Sequence, residues 1–343
     1  MKNIKKALII GVTGQDGAYL SNYLLNQGYE IYGTARRGAS EKFTRLEYLG
    51  IKDKVNLVDF DILELSNIQS TINEINPSEI YNLAAQSFVP TSFRLPILTT
   101  DINSMGVVRL LDSIVKINKQ IKFYQASTSE MFGKVTEIPQ NEDTKFYPRS
   151  PYGVSKVFSH YITINYRESY NLFACSGILF NHESPLRGHE FVTKKIVKSL
   201  AQIKKGRNEC LMLGNMEAKR DWGHAEDYVI AMNLMLKAKK PCDYVVSSGS
   251  TATVKEFVDK TLKSLDFKYS WEGEGLDCKV INKENGKIII KVDKRFFRPA
   301  EVDILLGDPK KIKDELGWSP KYNLDSLIDE MARFEIDNPN LSF

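Results

Sequence analysis

Tyr152 and Lys156 stand four residues apart in the stretch Ser150-Pro151-Tyr152-Gly153-Val154-Ser155-Lys156. Proline suits the first turn of a helix, so the phenol and the ammonium are expected to share one helical face. An ammonium beside a phenol favours the phenolate and pulls the tyrosine below its usual pKa of about 10. That would make Tyr152 an acid/base able to work near neutral pH. The same spacing also arises where a packed ring lies beside a solvated amine, so the pair needs support from elsewhere. Thr128 and Glu130 offer some, because they close Phe123-Tyr124-Gln125-Ala126-Ser127-Thr128-Ser129-Glu130, which reads as the end of a central strand. Ligands bind at that end of a parallel α/β sheet. There Thr128 could hydrogen-bond a substrate hydroxyl, and Glu130 adds a carboxylate. A Ser/Thr-rich turn with a surface glutamate is the plain alternative.

The elements that must position these groups are legible as alternating apolar runs and helix-period segments. Strands are expected at Ala7–Ile10, Glu30–Thr34, Asn56–Phe60, Ile80–Leu83, Phe123–Ala126 and Leu172–Leu179. Helices are expected from the first glycine turn to about Gln27, and over Asn67–Ile75, Met105–Ile117 and Tyr152–Tyr170. This alternation predicts an α/β fold of Rossmann type, a doubly wound parallel sheet. Beyond Pro185 the rhythm changes. Helices are expected at Phe191–Lys204, Ala225–Leu236, Val254–Leu265, Pro309–Leu316 and Leu324–Phe334, with short strands at Leu211–Leu213 and Tyr244–Ser247. Asn285-Gly286 between two β-rich arms predicts a type I′ hairpin within Lys279–Val292. The expected organisation is a Rossmann domain over 1–184 and a smaller α+β substrate lobe over 185–343, with the chain free to cross between them and a cleft where they meet.

Gly11-x-x-Gly14-x-x-Gly17 lies directly between the first strand and the first helix. Glycines there permit a tight turn, let backbone approach a pyrophosphate, and place the anion at a helix N-terminus. An ordinary glycine-rich turn is the competing reading. About 20 residues further on, an NAD-binding protein places an acidic residue, whereas this chain has Arg36-Arg37. Paired arginines suit a 2′-phosphate, so NADP is expected rather than NAD, unless the pair is only a solvated basic turn. Asp61 could accept from an adenine amine or simply cap the next helix.

Composition excludes several classes. With 42% hydrophobic and 26% charged residues in 343, the chain fits a soluble globular protein able to bury its own core. The net charge of +4 comes from scattered lysines, which suits an anionic small ligand but not nucleic acid. Cys175, Cys210, Cys242 and Cys278 are far apart, with neither metal-ligand nor redox spacing, as expected of free thiols. The apolar run Ala7–Ile10 is too short for a signal segment or a membrane span, so a cytoplasmic location is expected, with no membrane and no metal.

Together these residues resemble the extended short-chain dehydrogenase/reductases and, more narrowly, the GDP-mannose 4,6-dehydratases over nearly the whole chain. The resemblance rests on the blocks at 11–20, 123–133, 146–156, 178–188, 191–196, 213–229 and 296–309, in order. It implies that Tyr152 removes the C4 hydroxyl proton of a GDP-sugar, with Thr128 orienting that hydroxyl. Lys156 would bind the nicotinamide ribose, and Glu130 would take the C5 proton and help expel the C6 hydroxyl. Expected cofactor contacts are Gly11, Thr13, Gly14, Gln15, Asp16, Gly17, Arg36, Asp61, Leu83, Tyr152 and Lys156. Expected substrate contacts are Ser87, Asn181, Arg187, Lys194, Arg220 and Arg298, with Glu301 at the ribose; Arg187 reads equally well as a surface charge. The family's loop at Arg37–Ser40 reaches a neighbouring subunit, which implies a homotetramer.

Two positions depart from the family pattern. Phe88 follows Ser87 and Leu186 follows Pro185, where the family has His and Arg. Loss of two polar groups at the sugar pocket could signal GDP-D-glycero-α-D-manno-heptose in place of GDP-mannose, or drift at the pocket rim. A nucleotide-sugar 4-epimerase and a non-catalytic NADP-binding protein are the competing functions. The first has no need of Glu130, and the second has no need of the Thr128, Tyr152 and Lys156 set.

Overall fold

A computed structural model describes residues 4–36, 43–207, 209–297, 302 and 304–343. Its centre is a seven-stranded parallel sheet built from β1 (Lys6–Ile10), β2 (Glu30–Ala35), β3 (Val55–Asp59), β4 (Glu79–Asn82), β5 (Lys122–Thr128), β6 (Ala174–Leu179) and the strand Tyr244–Val246. From one edge the order is Tyr244–Val246, β6, β5, β4, β1, β2, β3. The order in which strands are added reverses between β1 and β4, so the cleft outside their carboxyl ends is where this topology accepts a ligand. The two faces of β1 show why its apolar run is continuous. Ala7 and Ile9 pack with Ala18, Leu24, Met232 and Met235 on one side, while Leu8 and Ile10 pack with Ile68, Leu110 and Ile114 on the other. A parallel strand buried on both faces needs apolar residues at every position.

The helix that carries Tyr152 runs Pro151–Tyr170. Ser150 caps it, its Oγ accepting from Gly153 N at 3.0 Å, and Asn171 ends it in the left-handed region at φ 56°. Its inner side lies on β5 and β6. Its outer side presents Val154, Phe158 and Tyr161, exposed by 57, 43 and 57%.

The second lobe has its own core. The helices Val192–Lys204, Val254–Ser264 and Leu324–Asp337 bury Ile196, Leu200, Phe257, Leu262, Ile328 and Met331 against a four-stranded sheet. That sheet runs Tyr269–Glu272, Lys279–Asn282, Ile288–Val292, Leu211–Leu213.

The strand expected near Tyr244 is where the chain crosses back: Tyr244–Val246 pairs in parallel with β6, Tyr244 opposite Gly177, and so belongs to the central sheet. A three-residue apolar strand carries no mark of its partner. Its placement follows from the Ala225–Lys237 helix, which packs against the Gln15–Asn26 helix and brings the chain back to the sheet. The hairpin at Asn285-Gly286 is not type I′, which needs positive φ at both central residues. Among the described residues of that turn only Gly286 is positive, at φ 70°. Asn282 N donates to the Lys287 carbonyl and Gly286 N to the Asn282 carbonyl, closing a longer loop.

Candidate active site

The glycine turn forms one end of a cleft of about 590 Å³ at the carboxyl ends of the strands. A Cβ on Gly17 would lie 2.4 Å from the Gly11 carbonyl oxygen, and one on Gly11 would press on the Ala84 backbone at 3.1 Å. Gly11 also has φ 92°, so the turn cannot be built from larger residues without opening. Gly14 starts the Gln15–Asn26 helix without a side-chain cap, leaving that helix's first N–H groups for an anion. These features fit a dinucleotide pyrophosphate. Asp16, in the first turn, is turned toward His182, with Oδ2 2.8 Å from Nε2. Burial works against both charges, but each favours the other. The Asp16 carboxyl is therefore lowered and the His182 imidazole raised, giving an ion pair. Gln15 locks the same corner, donating to the His182 carbonyl at 3.1 Å and accepting from Ser184 Oγ at 2.7 Å.

The catalytic candidates meet in the middle of the cleft. Thr128, Glu130, Tyr152 and Lys156 all line it. β5 ends at Thr128, whose Oγ1 accepts from Glu130 N at 3.3 Å, so the following turn aims the carboxylate into the same space. The Tyr152 hydroxyl pairs with Thr128. Lys156 is only 3% exposed; its Nζ donates to the Ala126 carbonyl at 3.0 Å and lies 5.9 Å from the Tyr152 ring centroid.

The electrostatics depart from the sequence expectation. Burial pushes Tyr152 up to about 12, and the Thr128 hydrogen bond offsets only part of that. Burial pulls Lys156 down to about 8. The lysine does not depress the phenol here, because both groups have lost water and the ammonium is committed to a carbonyl. Without ligands Tyr152 is therefore a neutral phenol.

The lysine also carries a stability consequence. Between pH about 8 and the ordinary 10.5, the folded chain binds fewer protons at Lys156 than the unfolded one. Its burial thus costs stability below pH 8, a cost that fades as pH rises toward 10.5. Lys156→Met is expected to melt above the parent near neutral pH while losing activity, and the gap should narrow toward pH about 10.5. Melting curves across that range check it, and a gap that widens with pH would refute it.

The remaining expected residues divide clearly. Thr13, Leu83, Ser87, Asn181, Arg187 and Arg220 line the same cleft as the glycine turn and the catalytic group. Arg187 is not a solvated surface charge: its Nε lies 3.0 Å from Glu183 and its guanidinium 3.6 Å over the Phe191 ring. Arg220 donates to the Val302 carbonyl at 2.7 Å. Arg36 stands exposed just past the end of β2, outside the cleft lining. Asp61 caps locally, accepting from Leu63 N at 3.0 Å. Lys194 points away from the cleft, buried at 2% against Glu335 and donating to the Pro185 carbonyl at 2.7 Å. Arg298, Glu301 and the Arg37–Ser40 loop lie outside the described residues.

Lys195, not Lys194, lines the cleft, with Nζ 3.8 Å from the Phe296 ring centroid. Helical spacing could have found it. Val192 and Lys195 share one face, while Thr193, Lys194, Ile196 and Val197 are buried. His182, Glu183, Arg45, Trp222 and Phe296 were also missed as cleft residues. Of the two departures, Phe88 lines the cleft edge-on to Phe191 at 6.1 Å, whereas Leu186 is fully buried and outside the lining.

Comparison with known proteins agrees with this geometry. The GDP-mannose 4,6 dehydratase family model matches residues 8–331. The chain is 46% identical over 342 residues to GDP-mannose 4,6 dehydratase of Dictyostelium discoideum, covering 97% of this chain and 96% of that one. It is 46% identical over 352 residues to GDP-mannose 4,6-dehydratase of Vibrio cholerae serotype O1, covering 98 and 94%. The structure of dTDP-glucose 4,6-dehydratase from Bacillus anthracis in complex with NAD shares the fold, with TM-score 0.80, 23% identity and 97% coverage of both chains. The chain belongs to the GDP-mannose 4,6-dehydratase family.

Proposed function

We propose that this protein is a hydro-lyase that converts a GDP-manno-configured sugar to its 4-keto-6-deoxy product, using bound NADP. The observation that carries the reading is the meeting of Thr128, Glu130, Tyr152 and Lys156 in one cleft. That cleft runs from the glycine cradle to Lys195 and Arg220. When bound, the nicotinamide would accept hydride from C4 of the sugar and return it to C6. The chain's own groups supply the proton chemistry. Thr128 and Tyr152 hold the C4 hydroxyl, and Tyr152, once deprotonated, takes its proton as the alcohol becomes a ketone. The ketone acidifies the C5 hydrogen. Glu130 removes that proton and delivers it to the departing C6 hydroxyl, which leaves as water; C5 then takes the proton held by Tyr152 as C6 is reduced, so both side chains end as they began. A 4-epimerase would have no use for a base beside Thr128.

Arg36, exposed at the end of β2, supports a 2′-phosphate and hence NADP. The aromatic corner of Phe88 and Phe191 supports a bulkier sugar, such as the manno-heptose with its extra hydroxymethyl on C6. One experiment tests both. Binding of NADP should be about tenfold or more tighter than that of NAD, and the GDP-heptose should be turned over alongside GDP-mannose. A preference for NAD overturns the cofactor, no turnover of the heptose removes that substrate, and no dehydration of either sugar overturns the function.

Self-association is also proposed. Val154, Phe158 and Tyr161 form an exposed stripe on the catalytic helix, beside exposed Phe93, Leu95, Leu98 and Ile97, the last at 85%. An apolar face of that size on a chain able to bury its own core supports an interface between copies. Burying it would also stiffen the helix whose other side holds Tyr152 and Lys156. Light scattering is expected to give the mass of a tetramer, and a monomer at working concentration would refute the assembly.

A further inference from the structure

Arg45 lies on the short Thr44–Tyr48 helix, outside every motif used above, yet it reaches the cleft. Its Nε donates to the Leu186 carbonyl at 2.7 Å and its Nη1 to the Thr13 carbonyl at 3.0 Å. Thr13 belongs to the glycine turn. Leu186 belongs to the segment that carries Asn181 at one end and Arg187 at the other. One guanidinium thus joins the part of the cleft assigned to the dinucleotide to the part assigned to the GDP-sugar.

The guanidinium is itself held from behind. Its Cζ lies 5.4 Å from the centroid of Phe343, which stacks on Phe334 at 5.8 Å and meets Tyr48 edge-on at 5.9 Å. Lys194 Nζ reaches the same cluster, 4.6 Å from the Phe334 centroid and 5.7 Å from that of Phe343, and holds the Pro185 carbonyl at 2.7 Å. Two cations therefore meet one aromatic cluster, and each grips a carbonyl of the Pro185-Leu186 pair. Phe343 does not line the cleft.

We propose that Arg45 is a positioning residue that couples the dinucleotide turn to the GDP-sugar segment, and that the Phe343 ring sets its guanidinium. The planar fork sends its two donors to the two carbonyls in fixed directions, whereas a lysine ammonium is a point charge on a flexible stem whose rotating donors do not hold the two carbonyls in register. A ligand that orders the Thr13 turn fixes the guanidinium and so pre-orders the Leu186 segment for the other ligand. The two affinities are then linked, each ligand tightening the other by the same factor. The ligands are those of the proposed function, and the inference rests on that reading.

Calorimetric titration with NADP, with GDP, and with each in the presence of the other tests the coupling in the intact chain. The wild type is expected to bind each about fivefold more tightly when the other is present. Phe343→Leu keeps the bulk but removes the π face. It is expected to abolish the coupling and weaken both ligands about three- to tenfold, with kcat at saturation unchanged. Phe343→Tyr should restore both, and Arg45→Lys should lose the coupling whichever residue stands at 343. A Phe343→Leu protein that keeps the coupling, or a Phe343→Tyr protein as weak as Phe343→Leu, overturns the proposal. A second measurement needs no ligand: hydrogen exchange of the Arg45 Nε–H should be slow in the wild type and in Phe343→Tyr, and fast in Phe343→Leu. If that pattern holds but the wild type binds neither NADP nor GDP, the functional reading falls and the latch stands; equal exchange in all three removes the latch.

Discussion

Glu130→Gln is expected to lower turnover about 10²–10⁴-fold while leaving the affinity for GDP within about twofold of the parent. The substitution preserves the shape of the side chain and removes only its ability to accept a proton. Glu130 sits on the turn that ends β5, its own N–H donating to Thr128 Oγ1 at 3.3 Å, so the backbone that carries the side chain is held without the carboxylate. The step that needs the charge is removal of the C5 hydrogen. Exchange of that hydrogen with deuterated solvent should therefore fall together with loss of the C6 oxygen. Product analysis by mass spectrometry reads both in one sample. Turnover at the wild-type rate would dispose of Glu130 as the base. A protein that loses GDP binding to the same extent as turnover would place the glutamate in binding instead.

Tyr152→Phe is expected to have a loss of the same order, about 10²–10⁴-fold in kcat/KM, through an earlier step. The phenol is buried, paired with Thr128, and pushed up to about 12 by loss of water and by the nearby Glu130 carboxylate. Its deprotonation is therefore the uphill part of oxidising C4, and the parent's kcat/KM should rise with pH toward the alkaline side. That ascending limb should vanish in Tyr152→Phe, while melting temperature and GDP affinity stay close to the parent's. A Tyr152→Phe protein that keeps the limb would assign the titration to another group. Oxidation at C4 separates the two variants: Glu130→Gln should still reduce bound NADP in a single turnover while losing C5 exchange, whereas Tyr152→Phe should lose both.

The chemistry was open to reading from the sequence wherever local spacing governs it. Pro151 before Tyr152 and Lys156, glycines at 11, 14 and 17, and an apolar run ending in Thr128 each specify a backbone shape through short-range sterics. The structure places the three glycines, Thr128, Tyr152 and Lys156 on one cleft. The parallel sheet was legible for the same reason, since a strand covered on both faces must be apolar throughout. What failed were choices between neighbours that differ only in what the fold packs against them. Lys194 and Lys195 are the same residue type, about 100° apart on one helix. The presence of Glu335 and the Phe334 ring, far along the chain, turns Lys194 inward and leaves Lys195 at the cleft.

Longer-range electrostatics were equally out of reach. The sequence pairs an ammonium with a phenol and so predicts a depressed tyrosine. Only burial, which depends on the whole fold, shows that desolvation outweighs the lysine and raises Tyr152 instead. Tyr244–Val246 joined the central sheet, and Arg45 met Thr13, Leu186 and Phe343, by contacts among distant segments that no local pattern encodes. The sequence by itself determined which reactive groups the chain has and the local turns that present them. Tertiary structure alone decided which of them face one another and how far water is excluded, because both depend on packing between segments far apart in the chain.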